Sequence, residues 1–290
     1  MKGRQDMDHT VTLANGVTVP ALGLGTWYLG DDPRTRQQEL EGLRAGVEEG
    51  MTLIDTAEMY GGGRSEALVG EAIEGMDREK LFLVSKVLPN NAGGKKMEKA
   101  LHDSMQRMGV DYLDLYLYHW RGGYPLEETV DCLNELQARG RIRAWGVSNF
   151  DIDDMEELWE TPGGQNCIVN QVLYNVSSRG TEYSLLPWMR EHGIALMAYC
   201  PLAQGGGLAR GLMQNKVLQE IADAHGITVP QLILAWDIRD GNTIAIPRSS
   251  RAEHTRSNAA ADKVTLTEDD LHRIDAVFPA PTHKVYLDIQ

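Results

Sequence analysis

Eight short apolar runs alternate with longer amphipathic segments along this sequence of 290 residues. Most of the runs are continuously apolar, which is typical of parallel strands covered on both faces of a sheet. The segments between them have apolar residues at helical spacing, and one of them, SEALVGEAIEG, opens with Ser65 as a predicted helix N-cap. The runs cover residues 21–26, 52–55, 81–86, 112–119, 142–149, 167–171, 194–199 and 243–247.

This alternation predicts an α/β fold of the (β/α)8 TIM barrel type. Ahead of the first run, VTLANGVTVP has two short β-like runs around Asn15 and Gly16, so we expect an N-terminal β-hairpin that caps one end of the barrel. The alternative is a doubly wound sheet with an added domain. No linker divides the chain, however, and no GxGxxG follows the first strand. We therefore predict a single domain over residues 1–290.

The charge balance disfavours some classes of partner. The sequence has 28 Lys and Arg against 42 Asp and Glu, a formal net charge of -14. An acidic surface repels nucleic acid and anionic membranes, so we expect neither as a partner. The N-terminus MKGRQDMDHT lacks the apolar stretch of a signal peptide, and no apolar run is long enough to span a membrane, so we expect a cytoplasmic protein. Nothing indicates an oligomer, and we expect a monomer or a weak homo-oligomer.

The cysteines and histidines do not indicate a metal site. Cys132, Cys167 and Cys200 are widely spaced and lack CxxC pairing, so we interpret them as small core hydrophobes. The eight histidines include no HxH or HExxH grouping, and we expect no metal.

Polar residues stand at the ends of the predicted strands. Asp55 ends the second strand with Tyr60 in the loop after it, Lys86 ends the third strand, and His119 ends the fourth. Because the carboxyl ends of barrel strands converge on one mouth, we expect these side chains to meet there. Further residues of this kind are Ser148, Asn149, Gln171, Tyr199, Arg248 and Ser249.

These residue types suit proton transfer to a carbonyl oxygen. A free tyrosine has a pKa of about 10 and is a poor acid near neutral pH. The Lys86 ammonium would favour the phenolate of Tyr60 and lower its pKa, while Asp55 keeps Lys86 charged and oriented. His119 can hydrogen-bond a substrate carbonyl oxygen beside the Tyr60 hydroxyl. Such a site requires a hydride or carbanion donor opposite it.

Seven stretches of the sequence resemble the aldo-keto reductase family in order and spacing, across essentially the whole chain. Within the family the chain is most similar to the compact bacterial members that reduce methylglyoxal and other small aldehydes. The stretches are LIDTAEMYGGG, VSK at 84–86, DLYLYHW, GVSNF, NQVLYN, AYCPLAQGG and IPRSS.

The resemblance implies a catalytic tetrad of Asp55, Tyr60, Lys86 and His119, with Tyr60 as the general acid in reduction and the base in oxidation. It also implies an NADPH-dependent reversible reduction of aldehydes and ketones to alcohols, with the nicotinamide cofactor held across the barrel mouth. The implied cofactor-binding residues are Thr26, Trp27, Ser148, Asn149, Gln171, Tyr199, Leu202, Gln204, Gly205, Ile246, Arg248, Ser249, His254 and Asn258.

The adenosine end of the implied cofactor site departs from the family pattern. Arg248, Ser249 and Asn258 match it, and a cation for a 2′-phosphate favours NADPH. A second family arginine falls at His254, which is mostly neutral at pH 7. Arg251 or Arg256 could substitute, and use of NADH is left open.

The implied substrate pocket includes Trp27, His119 and Trp120. Met59 and Tyr28 are nearby candidates. The sequence has no long C-terminal extension after FPAPTHKVYLDIQ, so we expect an open mouth and a permissive enzyme.

Two other functions are compatible with parts of this pattern. Lys86 could form a Schiff base, as in an aldolase, although that reading leaves the cofactor-side residues without a task. Alternatively, a non-catalytic barrel could bind nicotinamide and report redox state to a partner. Borohydride trapping would identify the aldolase, and an aldehyde turnover assay would identify the sensor.

Overall fold

The computed structural model describes residues 7–203 and 206–289. Its first element is an antiparallel hairpin of β1 (Thr10–Thr12) and β2 (Thr18–Pro20), in which Val11 pairs with Val19. The turn is one residue longer than a two-residue Asn-Gly turn, because the amide of Leu13 donates to the carbonyl of Val17. Gly16 at its end has φ of 81°, as in three-residue hairpin loops with a left-handed glycine. The buried valines extend the core.

Eight further strands form one sheet in which every neighbouring pair is parallel and sequential. The first and last of them also meet, because the amide of Gly23 donates to the carbonyl of Ala245 at 2.8 Å and the amide of Ala245 donates to the carbonyl of Ala21 at 2.8 Å. The strands are β3 (Leu24–Gly25), β4 (Leu53–Asp55), β5 (Phe82–Val87), β6 (Leu113–Tyr118), β7 (Ile142–Ser148), β8 (Cys167–Leu173), β9 (Ala195–Tyr199) and β10 (Thr243–Ala245).

Helices fill the intervals between the strands, and the predicted (β/α)8 barrel with its N-terminal hairpin is confirmed. The assignment of residues 1–290 to a single domain stays a prediction. No helix among the described residues is long and apolar enough to cross a membrane. The helices are α1 (Arg36–Glu48), α2 (Arg64–Ile73), α3 (Gly94–Met108), α4 (Leu126–Ala138), α5 (Ile152–Glu160), α6 (Leu185–Glu191), α7 (Gly206–Met213), α8 (Lys216–His225), α9 (Val229–Asp237), α10 (Ala252–Ala259) and α11 (Glu268–Val277).

Two local expectations differ from the structure. The N-cap of α2 is Gly63, and Ser65 lies inside the helix with its hydroxyl donated to Thr26. The glycine-rich stretch after Pro201 leads directly into α7, which the sequence reading does not anticipate. The helix begins within the glycine run, at Gly206, because the Leu, Ala, Arg and Met residues that follow are strong helix formers and outweigh the poor helix propensity of two glycines.

The barrel strands are buried on both faces. Every residue of β5, β6 and β8 is buried, which explains why these strands are continuous in apolar residues. The buried residues nevertheless include Ser85, Lys86, Asn170 and Gln171. Buried polar groups require hydrogen-bond partners, and for Lys86 and Gln171 those partners lie at the carboxyl ends of the strands.

Closure of the barrel depends on a small residue at the end of β3. A Cβ atom on Gly25 would lie 2.6 Å from the carbonyl oxygen of Ile246, and overpacking of this kind costs about 1–3 kcal/mol. We therefore expect Gly25→Ala to lower the urea midpoint of unfolding. The matched control is Gly211→Ala in α7, where a Cβ would meet nothing within 4 Å and alanine is the better helix former. Equal midpoints for the two variants would contradict this account of the closure.

Candidate active site

A cavity of about 850 Å³ opens at the carboxyl ends of the barrel strands. Its volume lies within the range of roughly 300–1,000 Å³ that is usual for small-molecule sites. Fifteen residues predicted from the sequence line it, so the structure brings them together at one mouth. Two of them are the nearby pocket candidates Tyr28 and Met59. The other thirteen are Thr26, Trp27, Asp55, Tyr60, His119, Trp120, Ser148, Asn149, Gln171, Tyr199, Leu202, Ile246 and Arg248.

A buried ion pair lies beneath the cavity. The Nζ of Lys86 is 2.8 and 2.7 Å from the two carboxylate oxygens of Asp55. It also donates to the carbonyl of Thr56 at 2.9 Å and to the hydroxyl of Tyr60 at 3.1 Å. Lys86 is fully buried, and Asp55 is nearly so. All three ammonium protons are therefore directed at acceptors, one of which is the phenol at the cavity wall.

Burial opposes both charges of this pair. It raises the pKa of the Asp55 carboxyl and lowers the pKa of the Lys86 ammonium, while each residue's charge counteracts the shift of the other. Asp55 receives a further hydrogen bond of 2.8 Å from the Gln171 side chain. Removing one member of a buried pair leaves the other uncompensated, at a cost of about 3–5 kcal/mol. The two residues are therefore mutually dependent in the folded protein.

The pKa of Tyr60 differs in direction from the sequence expectation. Burial raises it well above the usual value, and the Asp55 carboxylate adds to the rise. The expectation of a lowered pKa is therefore wrong for the ligand-free protein, because burial disfavours the phenolate and the carboxylate opposes the field of the ammonium. Tyr60 is therefore a fully protonated phenol with a cationic donor against its oxygen.

The turn after Tyr60 requires glycine. Residues 61–63 have φ of 58, 62 and 91°, the left-handed region that glycine adopts without steric cost. A Cβ on Gly63 would lie 2.6 Å from the Cδ of Arg107. The GGG sequence thus turns the chain sharply from Tyr60 into α2 and keeps the phenol over Lys86.

His119 is a neutral imidazole at the cavity. Burial, and next the Lys86 charge, lower its pKa to about 2. The ring packs edge-on to Tyr60 with centroids 5.9 Å apart. Its Nδ1 is buried without a hydrogen-bond partner among the described residues. A neutral imidazole carries one N–H donor, so His119 can hydrogen-bond an oxygen beside the phenol.

Amide side chains form the opposite wall. The Nδ2 of Asn149 donates to the carbonyl of His119 at 3.2 Å, and its Oδ1 accepts from the Tyr199 hydroxyl at 2.9 Å. The hydroxyl of Ser148 donates to the carbonyl of Gln171 at 2.8 Å. These contacts connect the ends of β6, β7, β8 and β9, and they hold amide donors and acceptors beside the ion pair.

Backbone strain is concentrated around the cavity. Among the described residues, four non-glycine residues have positive φ, and all four line the cavity: Tyr28, Asn149, Cys200 and Ala203. Strained backbone of this kind clusters at functional sites. The interpretation of Cys200 as a core hydrophobe is wrong, because the residue is only half-buried and lines the cavity. None of the three cysteines forms a disulfide within the described residues, and Cys167 is buried as expected.

The far end of the cavity carries a cation, Arg248, but only some of the residues predicted for the adenosine end line it. Arg248 lines it, is exposed, and has no acidic partner within ion-pair distance in the described ranges. Arg256 is engaged by Glu48 and Glu49 at 3.2 and 3.4 Å. Three predicted residues lie beyond the cavity lining, and two more fall outside the described residues. The first group is Ser249, His254 and Asn258, and the second is Gln204 and Gly205.

Aromatic rings border the open side. Trp27 stacks on Tyr28 with centroids 4.5 Å apart, and Trp120 lies 4.7 Å from His119. The sequence reading missed several other lining residues. Among them, Cys200 and Pro201 directly follow a predicted strand-end residue, so strand-end position could have identified them. The missed residues include Arg121, Asp154, Cys200, Pro201, Ala203, Met213 and Ile289.

The C-terminal segment also reaches the cavity. Lys284 lies 3.0 Å from the carboxylate of Asp153, the hydroxyl of Ser178 donates to Asp288, and Ile289 lines the cavity. Ile289 remains mostly exposed and adds one residue to the rim, and the open mouth and permissive enzyme stay predictions. No sequence signal identifies Ile289, because only these long-range contacts bring it there.

The fold and the site together define a barrel protein whose cavity combines a phenol, a neutral imidazole and a buried lysine–carboxylate pair. The sequence profile of the aldo/keto reductase family matches residues 21–278. The chain therefore belongs to the aldo/keto reductase family, and the prediction of an oxidoreductase is confirmed.

Individual relatives agree with this assignment. The chain is 50% identical over 279 residues to the methylglyoxal reductase YeaE of Escherichia coli strain K12, with 96% of this chain and 98% of that protein covered. It is 32% identical over 306 residues to the NADH-specific methylglyoxal reductase of the same strain, with 88% and 93% covered. A crystal structure of an aldo-keto reductase from Klebsiella pneumoniae in complex with NADPH has a TM-score of 0.94 and 50% identity, with 97% and 99% covered.

The depressed pKa of His119 makes a testable contribution to stability. Below about pH 6.5 a histidine in the unfolded chain binds a proton, whereas folded His119 stays neutral. Above pH 6.5 the ring is neutral in both states and the free energy of unfolding is unaffected. As the pH falls from 6.5 toward 5, protonation of the unfolded chain lowers the free energy of unfolding by about 1.4 kcal/mol per pH unit. We expect urea unfolding of the wild type to show this extra loss relative to His119→Asn. Parallel stability profiles of the two proteins between pH 6.5 and 5 would mean that the ring protonates normally in the folded state.

Proposed function

We propose that this protein reversibly reduces aldehydes and ketones to alcohols with NADPH, and that Tyr60 is its general acid. The observation that carries the proposal is the contact of 3.1 Å between the Tyr60 hydroxyl and the Nζ of Lys86, which is itself paired with Asp55. Membership in the aldo/keto reductase family supports the reaction class.

The phenol acts as the proton donor of the reduction. Its raised pKa keeps it protonated in the resting protein, and an alkoxide developing on the substrate is a stronger base than a phenolate. As the proton leaves the Tyr60 oxygen, the N–H of Lys86 already faces that oxygen and stabilises the new negative charge. In oxidation the same proton returns. His119 donates its N–H to the carbonyl oxygen and orients it toward Tyr60.

The cavity fits a nicotinamide cofactor. Asn149 and Gln171 present amides, with Ser148 beside them, and these groups match the donors and acceptor of a carboxamide. Tyr199 offers a ring face, and Thr26, Trp27 and Ile246 line the same wall. We propose that these residues hold the nicotinamide half and that Leu202, Gln204 and Gly205 border the pyrophosphate. When bound, the cofactor supplies the hydride to the carbonyl carbon.

The far end of the cavity supports a preference for NADPH. Arg248 is the exposed cation there, and guanidinium binds phosphate bidentately. We propose that Arg248 binds the 2′-phosphate, with Ser249, His254 and Asn258 around the adenosine. The NADPH complex of the Klebsiella pneumoniae relative agrees with this preference, while the NADH-specific relative keeps use of NADH open.

The first substrates to test are small aldehydes. The aromatic wall of Trp27, Tyr28 and Trp120 suits small or apolar carbonyl compounds. Methylglyoxal is the natural first choice because a relative at 50% identity is a methylglyoxal reductase.

The two alternative functions find less support. A Schiff-base lysine needs a free lone pair on its nitrogen, whereas every proton of the Lys86 ammonium is engaged and the residue is fully buried. A non-catalytic sensor would have no use for the phenol held against that ammonium. The cytoplasmic location, the monomeric or weakly oligomeric state, and the lack of nucleic-acid, membrane and metal partners stay predictions.

Removing the hydroxyl of Tyr60 tests the proton donor. We expect Tyr60→Phe to lower the turnover of methylglyoxal by about 10²–10⁴-fold, the usual contribution of a general acid. Binding of NADPH, measured by protein fluorescence quenching, should be nearly unchanged, because the ring is retained. Tyr183→Phe, a half-exposed tyrosine outside the cavity lining, is the matched control. Near-normal turnover by Tyr60→Phe would refute the role of Tyr60.

Removing the cation at the far end tests cofactor choice. A charge-assisted hydrogen bond contributes about 1.5–3 kcal/mol, so we expect Arg248→Ala to weaken NADPH binding roughly 10- to 100-fold. NADH lacks the 2′-phosphate and should bind the variant about as well as the wild type. The control is Arg273→Ala, whose side chain pairs with Glu220 away from the cavity. Equal losses for NADPH and NADH would exclude Arg248 as the phosphate ligand.

A further inference from the structure

Three fully buried hydroxyl residues lie behind the ion pair, and the proposed reaction uses none of their hydroxyls. They are Thr26 after β3, Thr56 after β4 and Ser65 in the first turn of α2. A buried hydroxyl costs free energy unless it is hydrogen-bonded, and these three satisfy one another.

The three hydroxyls form a one-directional hydrogen-bond chain. The hydroxyl of Thr56 donates to that of Ser65 at 3.2 Å, and Ser65 donates to the hydroxyl of Thr26 at 2.8 Å, with the carbonyl of Thr26 at 3.0 Å. Thr26 in turn donates to the main-chain carbonyl of Asp55 at 2.9 Å. Each hydroxyl has a single proton, so each is committed to the next residue, and bonds in such chains strengthen one another.

The chain closes the base of the loop that carries Tyr60. Thr56 and Ser65 stand at the two ends of residues 57–64, and their hydroxyls join those ends. This loop contains the three left-handed glycines, so its backbone is intrinsically permissive. The carbonyl of Thr56 is also an acceptor for the Lys86 ammonium. Thr56 therefore joins the base of the tyrosine loop through its side chain and accepts a hydrogen bond from Lys86 through its main-chain carbonyl.

We propose that Thr56 and Ser65 are positioning residues for the reduction. Their hydrogen bond, anchored on Thr26, holds the hydroxyl of Tyr60 at its distance from the Nζ of Lys86. The inference rests on the proposed role of Tyr60 as proton donor. A displacement of about 1 Å at a reacting group can cost 10²-fold in rate, so a loosened loop reduces the rate of the chemical step without removing any group that contacts substrate or cofactor.

The test isolates the hydroxyl from the rest of the side chain. Thr56→Val removes the hydroxyl and keeps the shape, whereas Thr56→Ser keeps the hydroxyl and removes a methyl group. The control for loss of a buried threonine hydroxyl is Thr129→Val in α4, whose hydroxyl donates to the carbonyl of Ala92 at 2.8 Å. For each protein we would measure the single-turnover rate of NADPH oxidation by saturating methylglyoxal, the Kd for NADPH and the urea midpoint.

We expect Thr56→Val to lower the single-turnover rate by about 10-fold or more, with a nearly unchanged Kd for NADPH. Thr56→Ser should recover most of the rate although it also loses stability. Thr129→Val should lose stability with an unchanged rate. The proposal is overturned if Thr56→Val is no slower than Thr129→Val, or if Thr56→Ser is as slow as Thr56→Val, because the methyl and not the hydroxyl would then matter.

A second pair of variants keeps the test decisive if Thr56→Val does not fold. Ser65→Ala should by itself show the same selective loss of rate, since it removes the bond from Thr56 and also the bonds to Thr26. Where Thr56→Val does fold, adding it to Ser65→Ala should change the rate little, because Ser65→Ala has already removed the Thr56–Ser65 hydrogen bond. If the rate loss of the double variant were the product of the two single losses, Thr56 and Ser65 would act independently, and the proposal that their hydrogen bond positions Tyr60 would be overturned. Tyr60→Phe separates this inference from the proposed function. A large loss of rate in Tyr60→Phe with a normal rate in Thr56→Val refutes only the positioning role of the Thr56–Ser65 hydrogen bond. A normal rate in Tyr60→Phe refutes the role of Tyr60 as proton donor.

Discussion

The desolvated ion pair between Lys86 and Asp55 is the constraint around which the site is built. Neither charge is tolerable alone in the interior, so the surrounding chain supplies further hydrogen-bond partners. The Gln171 amide donates to Asp55, and the Thr56 carbonyl and the Tyr60 oxygen accept from Lys86. Gln171 comes from β8, whereas Thr56 and Tyr60 come from the segment that follows β4. The barrel is what makes them neighbours, because its parallel strands all deliver their carboxyl ends to the same mouth.

The phenol depends on this pair in an unexpected way. The net pKa of Tyr60 is raised in the ligand-free protein despite the adjacent ammonium, since burial penalises the phenolate and the Asp55 carboxylate opposes it as well. What the pair provides is an N–H donor already aimed at the oxygen that would carry negative charge. The phenolate formed in the reaction would thus be stabilised by a donor that is already in position. That position is maintained by the glycine turn after Tyr60 and, on our proposal, by the buried hydroxyls of Thr56 and Ser65.

The rim of the cavity differs from its base in burial and in backbone regularity. The base is buried and built on the hydrogen-bonded ion pair of Lys86 and Asp55. The rim contains the strained residues Tyr28, Cys200 and Ala203, the exposed Arg248 and the end of the C-terminal segment. Irregular loops on a rigid barrel are where binding specificity is usually placed. The residues missed from the sequence lie mostly on this rim, while the chemical groups proposed for the reaction lie at the base.

The sequence alone determined the barrel, because continuous apolar runs alternating with amphipathic helices have few other ways to be buried. It also determined that Asp55, Lys86 and His119 would meet, since strand ends in a parallel barrel share one edge. Only the tertiary structure decided the direction of the Tyr60 pKa, the diversion of Ser65 from a helix cap to a buried hydrogen-bond chain, the exposure of Cys200 to the cavity and the arrival of Ile289 there. The physical reason is that periodicity is a local property of the chain, whereas electrostatic fields, burial and hydrogen-bond partners are set by residues distant in sequence, such as Asp153 and Lys284, that become neighbours only when the chain folds.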